Sequence, residues 1–222
     1  CTRVRMSDFM VHNSPNWTIH PVRCENVTID NLTIVNPFDS PNTDGIDPES
    51  CRNVRITGCH IDVGDDCIAV KAGTEDALED VPCENIAITG CTMVHGHGGV
   101  VLGSEMSGGI RRVSITGCVF DGTDRGIRIK SRRGRGGAVE DVSVTGIVMN
   151  DVLCPLVINL MYFCGKDGKL PIVSDPNAQP VTDATPHVRR IRMADIVVTN
   201  AKSAAACLYG LPEAPLEDIS IV

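Results

Sequence analysis

Short segments in which apolar and polar residues alternate recur along most of the chain. In one of them Val27 and Ile29 alternate with polar neighbours, and Ile34 continues the apolar series. A period of two is typical of a β-strand that buries one face. Polar corners such as Thr57-Gly58 follow these segments and predict a turn after each strand. No segment has the sustained apolar period of about 3.6 residues that an amphipathic helix shows, so the pattern predicts an all-β protein.

One strand pattern repeats, with an apolar or cysteine residue first and apolar residues at its fourth and sixth positions. Its copies are Cys1–Met6, Cys24–Ile29, Cys51–Ile56, Cys83–Ile88, Ile110–Ile115, Val139–Val144, Val188–Met193 and Leu216–Ile221. Neighbouring copies begin 23 to 32 residues apart, except for one interval of 49 residues after Val139. A period of about 20–50 residues is typical of solenoids, propellers and other repeat arrays.

A parallel β-helix explains this repeat better than a propeller or a sandwich does. Propellers need hairpin turns and about four strands per blade, which the spacing does not supply. In a β-helix each coil stacks in register on the next, so equivalent positions form ladders about 4.8 Å apart. We therefore predict a right-handed parallel β-helix that spans residues 1–222 as a single catalytic domain.

Both ends of the chain fall inside the repeat, and neither resembles the polar cap that a solenoid uses to stay soluble. We therefore expect this to be part of a longer protein, without its N-terminal coils and end caps. No apolar stretch is long enough to span a membrane and no signal-peptide pattern is present, so no membrane partner is expected.

The chain has 11 cysteines, and six of them fall on two offsets of the repeat. One set is Cys24, Cys51 and Cys83, and the other is Cys59, Cys91 and Cys118. Such positions predict ladders of small buried side chains, for which free cysteine is well suited. An odd count without close Cys-x-x-Cys pairs argues against a disulfide framework and against a zinc site. Free thiols favour a reducing compartment, and hence a cytoplasmic over a secreted location.

Charge is unevenly distributed in a chain whose formal net charge is −8. Six basic residues fall close together, namely Arg125, Arg128, Lys130, Arg132, Arg133 and Arg135. An acidic protein with few aromatic residues lacks the positive field and stacking surfaces of nucleic-acid binding proteins, so no such partner is expected. The cluster is either a solvated basic loop or, as we favour, a site for an acidic sugar polymer, because guanidinium groups bind carboxylates bidentately.

Four short polar signatures follow one another at about the repeat spacing. They are Asn42–Gly45, Gly64–Cys67, Gly96–Gly98 and Arg128–Lys130. Their register comes from aligning what we take as the second strand of each coil by Ile19, Ile46, Ile68, Val100 and Ile127. This alignment gives Asp44 and Asp66 the same offset on adjacent coils and aligns Asp65 with His97. Arg128 and Lys130 lie two residues apart, so they point to one side of the sheet.

Three clustered aspartates suit the hydrolysis of a glycosidic bond. That reaction needs one carboxylic acid that protonates the leaving oxygen and one carboxylate on the other side of the anomeric carbon. Asp44, Asp65 and Asp66 cannot all ionise freely, because like charges raise the pKa of at least one of them. One acid and one or two bases result. The alternative is that Asp44 caps a turn while Asp65 and Asp66 bind calcium or solvent.

The words around the signatures resemble the polygalacturonases, glycoside hydrolase family 28, which cleave the α-1,4-galacturonate backbone of pectin. The matching words are NTDGIDPESCRN at 42–53, VGDDCIAVK at 63–71 and HGGVVLGSEMSGG at 97–109, and the resemblance covers essentially the whole chain. It implies a bacterial member, a pectic polysaccharide or oligogalacturonide substrate, and hydrolysis with inversion. We expect a monomer with no cofactor and no metal.

The resemblance also implies a role for individual residues. Asp65 would be the general acid, while Asp44 and Asp66 orient and deprotonate the attacking water. Alignment with Asp65 gives His97 a tuning role in catalysis. Three further residues would bind substrate: Arg128 and Lys130 as a uronate-binding pair, and Tyr162 through a contact with the sugar.

Several alternatives stay open from the sequence alone. The same aspartates would serve a rhamnogalacturonan or xylogalacturonan hydrolase, and a β-helix can also be a non-catalytic carbohydrate-binding stalk. A pectate lyase shares the fold but needs calcium-binding carboxylates and an arginine base. The stretch Gly103–Gly109 resembles bacterial and plant-like members, several of which act from chain ends, and this favours exo action.

Overall fold

The computed structural model describes all residues from 1 to 222, almost entirely as β-strands. The strands are β1 Thr2–Ser7, β2 Met10–His12, β3 Glu25–Asp30, β4 Thr33–Val35, β5 Arg52–Thr57, β6 His60–Val63, β7 Asp66–Val70, β8 Cys83–Thr89, β9 Thr92–His95, β10 Gly98–Gly103, β11 Ile110–Thr116, β12 Val119–Asp121, β13 Arg125–Lys130, β14 Ala138–Asn150, β15 Cys154–Asn159, β16 His187–Thr199, β17 Ala206–Tyr209 and β18 Glu217–Ile221. The one helical element is a 3₁₀ turn at Pro171–Ser174. No helix in the structure has the length and apolar character needed to cross a membrane.

The strands form two parallel sheets, one of 13 strands and one of five. The larger sheet contains two ladders, which are joined where the long strand β14 contributes to both. In its first ladder Val27 pairs with Val54, which pairs with Ile86 on the following coil. The repeat predicted from the sequence is therefore the repeat of the fold, a right-handed parallel β-helix.

Glycine makes the corner between the first and second ladders. Gly58 and Gly90 have φ angles of 61° and 63°, a left-handed conformation that glycine adopts without a steric penalty. These are the corners predicted from the Thr-Gly pairs. The short second-ladder strands, such as β6 and β9, begin directly after them.

The second sheet consists, in order, of β7, β10, β13, β15 and β17. Ile19 pairs with Ile46, and Ile46 pairs with Ile68, through single bridges that extend this ladder beyond β7. Ile68 then pairs with Val100, and Val100 with Ile127, so the predicted register is confirmed. This is the third strand of each coil and not the second, because a strand of three or four residues intervenes after each glycine corner.

A single core of 44 buried residues runs through the coils. The cysteine ladders are part of it: Cys51 and Cys83 are 0% exposed, and Cys59 and Cys91 are 1% exposed. Cys24 lies at the end of its ladder and is only half-buried. The prediction that these thiols pack as small apolar side chains is confirmed.

The one long repeat interval lies between β15 and β16. Residues 160–186 leave the third strand and carry the 3₁₀ turn before the next coil begins. Arg133 anchors this insertion by donating hydrogen bonds to the carbonyl oxygens of Ile172 and Asp175 at 2.6 and 2.8 Å. The insertion contributes Tyr162 to one side of the candidate site, described next.

Candidate active site

The register of the third strands brings the polar signatures together. Asp66 is the first residue of β7 and pairs with Gly98, the first residue of β10. Asp65 and His97 therefore stand side by side, and the His97 backbone N–H donates to the Asp65 carbonyl at 3.1 Å. Asp44 precedes Ile46 as Asp66 precedes Ile68, so it lies one coil away from Asp66 at the same offset.

The three aspartates form a compact cluster. One carboxylate oxygen from each lies within 4.8 Å of the other two. Asp44 and Asp66 are almost completely buried, whereas the Asp65 side chain is 19% exposed. The cluster lines a cavity of about 320 Å³. This is close to the lower end of the range of about 300–1,000 Å³ for small-molecule sites.

Two cations face Asp66. Lys130 Nζ donates a hydrogen bond to Asp66 Oδ2 at 2.6 Å, and Arg128 Nη1 lies 3.7 Å from Oδ1. A buried carboxylate is costly unless its charge is paired, so these two residues compensate Asp66. The Tyr162 ring lies beside both cations, 5.0 Å from Arg128 Cζ and 5.3 Å from Lys130 Nζ. These distances are within the range of cation–π contacts.

Asp65 forms an ion pair with His97. His97 Nδ1 lies 3.1 Å from Asp65 Oδ1, and the Asn42 backbone N–H donates to Oδ2 at the same distance. Burial opposes ionisation of Asp65, but the contact with His97 and the Asn42 amide outweigh it and lower its pKa to about 2. The same hydrogen bond raises the pKa of His97 above its usual value.

Asp44 has the opposite character. Burial raises its pKa to about 7, with Lys71 acting against the rise and the charges of Asp66 and Asp65 adding to it. The pKa values of Asp44 and Asp65 are thus shifted in opposite directions, toward the protonated form for Asp44 and toward the ionised form for Asp65. The sequence does not show how deeply Asp44 is buried, so it did not reveal this difference between the two aspartates.

The sequence analysis missed Lys71 and Glu105, which both line the cavity. Lys71 Nζ lies 3.6 Å from Asp44 Oδ2 and 3.2 Å from Glu105 Oε2. The register of the third strands could have identified Lys71, but it carries no signal for Glu105. Lys71 follows Ile68 by three residues, and Lys130 follows Ile127 by three, so the two lysines share one offset. Trp17, at the offset of Asp44 one coil earlier, also lines the cavity.

The prediction of a cationic cluster for an acidic polymer is wrong for three of its six members. Arg132, Arg133 and Arg135 are only 2%, 6% and 4% exposed. Arg133 pairs with Glu213 at 2.6 Å, and Arg132 and Arg135 both pair with Glu75. These guanidinium groups pair with internal carboxylates and join loops, and none of them lines the cavity of the aspartate cluster.

The carboxylate cluster also has the size of a cation site. However, the Lys130 ammonium already contacts Asp66 Oδ2, and the Lys71 ammonium lies near Asp44 Oδ2. A divalent ion bound to these oxygens would have to displace both positive groups or lie against them. The donor set therefore fits acid–base work between carboxylates better than metal binding.

Comparison with known proteins decides the family. The model of the glycosyl hydrolases family 28 matches residues 1–206. The chain belongs to this family. It is 38% identical over 221 residues to a probable polygalacturonase from Vitis vinifera, and this match covers 98% of the chain and 43% of that relative. It is 34% identical over 173 residues to an endo-polygalacturonase from Pectobacterium carotovorum subsp. carotovorum, covering 78% of the chain and 42% of that protein.

A solved structure in the same family resembles the whole chain. The exopolygalacturonase of Thermotoga maritima superposes with a TM-score of 0.86 at 34% identity, over 99% of this chain and 46% of that one. The family 28 chain described here thus spans less than half the length of these relatives.

The raised pKa of Asp44 makes a prediction about stability. A carboxyl group with a pKa of about 7 in the folded state, against 3.8 ordinarily, binds its proton more tightly when folded. The free energy of unfolding therefore falls as the pH rises from about 4 to about 7. Asp44→Asn does not titrate, so its melting temperature should exceed that of the wild type at pH 8 and match it at pH 4. Asp39→Asn, at an exposed position, is the control. Equal differences at both pH values would contradict the burial effect.

Proposed function

We propose that this chain carries the hydrolytic site of a polygalacturonase, which cleaves α-1,4 bonds between galacturonate residues of pectin. The observation that carries the proposal is the cluster of three aspartates within 4.8 Å, bordered by cations in one cavity. An acidic sugar polymer needs both parts, carboxylates for proton transfer and cations for its uronate groups. Membership of family 28 supports the same reaction.

Water activation falls to Asp44 and Asp66. They have the same offset on adjacent coils, so one water molecule can contact an oxygen of each. Asp66 has two compensating cations, and we assign it the water proton. Asp44 orients the same water, and it serves this role best in its charged form.

Asp65 acts as the general acid together with His97. The lowered pKa of Asp65 and the raised pKa of His97 favour the shared proton on His97, across a hydrogen bond of 3.1 Å. Moving it along this bond to Asp65 yields a carboxylic acid, which then passes the proton to the leaving glycosidic oxygen. His97 is thereby left neutral and Asp65 ionised, and the pair takes up a proton from solvent before the next turnover.

Lys130 and Tyr162 line the cavity, and together with Arg128 they form the proposed sugar-binding group. Both cations lie within 5.3 Å of the Tyr162 ring. A galacturonate carboxylate that approached them would share them with Asp66. Binding of an acidic sugar would therefore be coupled to the charge of the base.

Inversion of configuration is the proposed stereochemical course. Retaining carboxyl pairs usually stand about 5–5.5 Å apart and inverting pairs about 6.5–9.5 Å. The nearest oxygens of this triad lie within 4.8 Å, so a rule for two carboxyl groups does not decide the outcome here. A water held between Asp44 and Asp66 leaves neither of them needed as a nucleophile. Exo action is proposed as well, supported by the close superposition on an exopolygalacturonase.

Product analysis on polygalacturonate tests the proposal as a whole. The full-length protein should release galacturonate monomer from the start, as the β-anomer, which proton NMR detects before mutarotation. A ladder of oligomers would mean endo action, and early α-anomer would overturn inversion. An unsaturated product would identify a lyase, and cleavage confined to rhamnogalacturonan or xylogalacturonan would identify the alternative substrates. No turnover at all would leave a carbohydrate-binding module.

Removing the proposed acid should abolish turnover while binding survives. Asp65→Asn keeps the size of the side chain but cannot donate the proton, so kcat should fall by at least about 10²–10⁴-fold. The matched control is Asp62→Asn, because Asp62 makes a similar contact with His95 at 2.9 Å outside the cavity. Near-normal kcat in Asp65→Asn would show that another group is the acid.

Charge recognition is tested by comparing galacturonate oligomers with their methyl esters. Arg128→Ala and Lys130→Ala should each weaken binding of the acid form by at least about tenfold more than binding of the ester, because the ester has no charge to pair. Arg125→Ala is the control on the same strand, where Arg125 pairs with Asp124 at 3.1 Å. Equal losses for both ligands would assign the two cations to the support of Asp66 alone.

A further inference from the structure

Lys71 brings a positive charge into the interior of the site. It directly follows β7 and is 2% exposed. An ammonium removed from water costs several kcal/mol unless other charges compensate it. The carboxylates that compensate this ammonium therefore indicate which groups of the site it stabilises.

Carboxylates approach Lys71 from several elements. Its Nζ donates to Glu105 Oε2 at 3.2 Å and lies 3.6 Å from Asp44 Oδ2. The charges of Asp47 and Asp66 act on it as well, and together these groups raise its pKa although burial lowers it. The Trp17 ring covers the ammonium at 4.1 Å from the ring centre. Lys71 is thus a fixed positive charge.

Glu105 holds that charge in place. Burial opposes its ionisation, but Lys71, the Ser104 hydroxyl and Arg135 outweigh it and lower the pKa of Glu105 to about 2. The Ser104 hydroxyl donates to Glu105 Oε1 at 2.9 Å, and Arg135 Nη2 lies 3.6 Å from the same oxygen. Glu105 is therefore held in its ionised form, and Ser104 and Arg135 stabilise its charge.

Asp47 acts on the ammonium through charge and without an ion-pair contact, and of the carboxylates it raises the pKa of Lys71 most. It is 0% exposed, and neither of its carboxylate oxygens has a hydrogen-bond partner. Burial raises the pKa of Asp47 well above its usual value, with Lys71 acting against the rise. The close ion-pair contacts of Lys71 are with Glu105 and Asp44.

We propose that Lys71 is a positioning residue of the hydrolytic site, whose ammonium, anchored by Glu105, favours the charged form of Asp44 and orients it toward the attacking water. The inference rests on the proposed function and adds a residue to it. The ion-pair partners of Lys71 are Asp44 and Glu105, so it acts on the base and need not touch the sugar.

The charges that face Asp44 determine how much its pKa should change when Lys71 is removed. Burial raises its pKa to about 7, Asp66 and Asp65 add to the rise, and Lys71 and Lys130 oppose it. Of these two lysines, Lys71 lowers the pKa of Asp44 more. An opposite charge within about 4–6 Å lowers a carboxyl pKa by about 1–3, so removing Lys71 should raise the pKa of Asp44 by at least about 1.

The test compares Lys71→Met, Lys71→Arg and a control in the full-length protein. Met keeps much of the side-chain volume without the charge, and Arg keeps the charge. Lys202→Met is the control, because Lys202 pairs with Asp151 at 2.9 Å on the exposed surface. The acidic limb of the kcat/KM profile on polygalacturonate reports groups that must be ionised in the free enzyme.

Lys71→Met should move this limb up by at least about one pH unit, so that kcat/KM falls about tenfold or more at pH 5 and much less at pH 8. Lys71→Arg should restore the wild-type limb, and Lys202→Met should not move it. A loss in Lys71→Met that is equal at every pH would mean a purely structural role and would overturn the proposal.

A second measurement does not depend on turnover. Carbon-13 NMR of protein labelled at the aspartate carboxyl carbon follows the Asp44 titration, with its signal assigned from its loss in Asp44→Asn. The midpoint should rise in Lys71→Met and return in Lys71→Arg. If Lys71→Met does not fold, Asp47→Asn/Lys71→Met removes the neighbouring buried carboxylate and takes its place. An unmoved midpoint in an active enzyme overturns the role of Lys71 alone, whereas a wild type that cleaves no polygalacturonate overturns the proposed function.

Discussion

In-register pairing of the third strands is the constraint on which the site depends. Parallel pairing stacks equivalent residues about 4.8 Å apart, and a slip of one residue would turn every side chain to the other face. The ladder from Ile46 through Ile68 to Val100 sets this register, and its members are buried in the core. The position of Asp66 next to Gly98, and hence of Asp65 next to His97, follows from the packing of apolar residues two positions further along.

The electrostatics of the site follow from pairing each acid with a cation of its own. These pairs are Asp44 with Lys71, Asp65 with His97, and Asp66 with Lys130. The pairs differ in burial and in contact distance, so the chemically identical side chains of Asp44 and Asp65 acquire different proton affinities. Environments that push the pKa values of neighbouring carboxyl groups apart are the physical basis for dividing acid and base roles. Three aspartates can therefore lie close together and still divide the acid and base roles, because their cation partners differ in kind and in distance.

The surroundings of the cavity are held together by ion pairs between loops. Glu75 joins Arg132 and Arg135, and Arg135 also lies near Glu105, the anchor of Lys71. Arg132 in turn donates to the carbonyl oxygen of Cys164, two residues after Tyr162. One network of ion pairs thus joins the side of the cavity that holds Lys71 and Glu105 to the insertion that carries Tyr162. Breaking one partner of such a network leaves an uncompensated buried charge, which costs about 3–5 kcal/mol.

The sequence by itself determined the repeat, the ladders and the offsets of Asp44, Asp65, Asp66 and His97. It could do so because the period of two and the coil spacing are local properties, and parallel stacking turns equal offsets into neighbours. It did not reveal the short second strand as a separate element, because three or four residues between two corners carry too little pattern.

Tertiary structure alone decided the rest. Lys71 and Glu105 are 34 positions apart, and their contact depends on how the segment after β10 folds beside the end of β7. Arg132, Arg133 and Arg135 look in the sequence like an exposed basic cluster, yet the loops bury them against carboxylates that lie up to 80 residues away. The opposite pKa shifts of Asp44 and Asp65 follow from burial and hydrogen bonding, which depend on the whole fold. Charge and offset can be counted along a chain, whereas solvation and pairing are properties of the folded molecule.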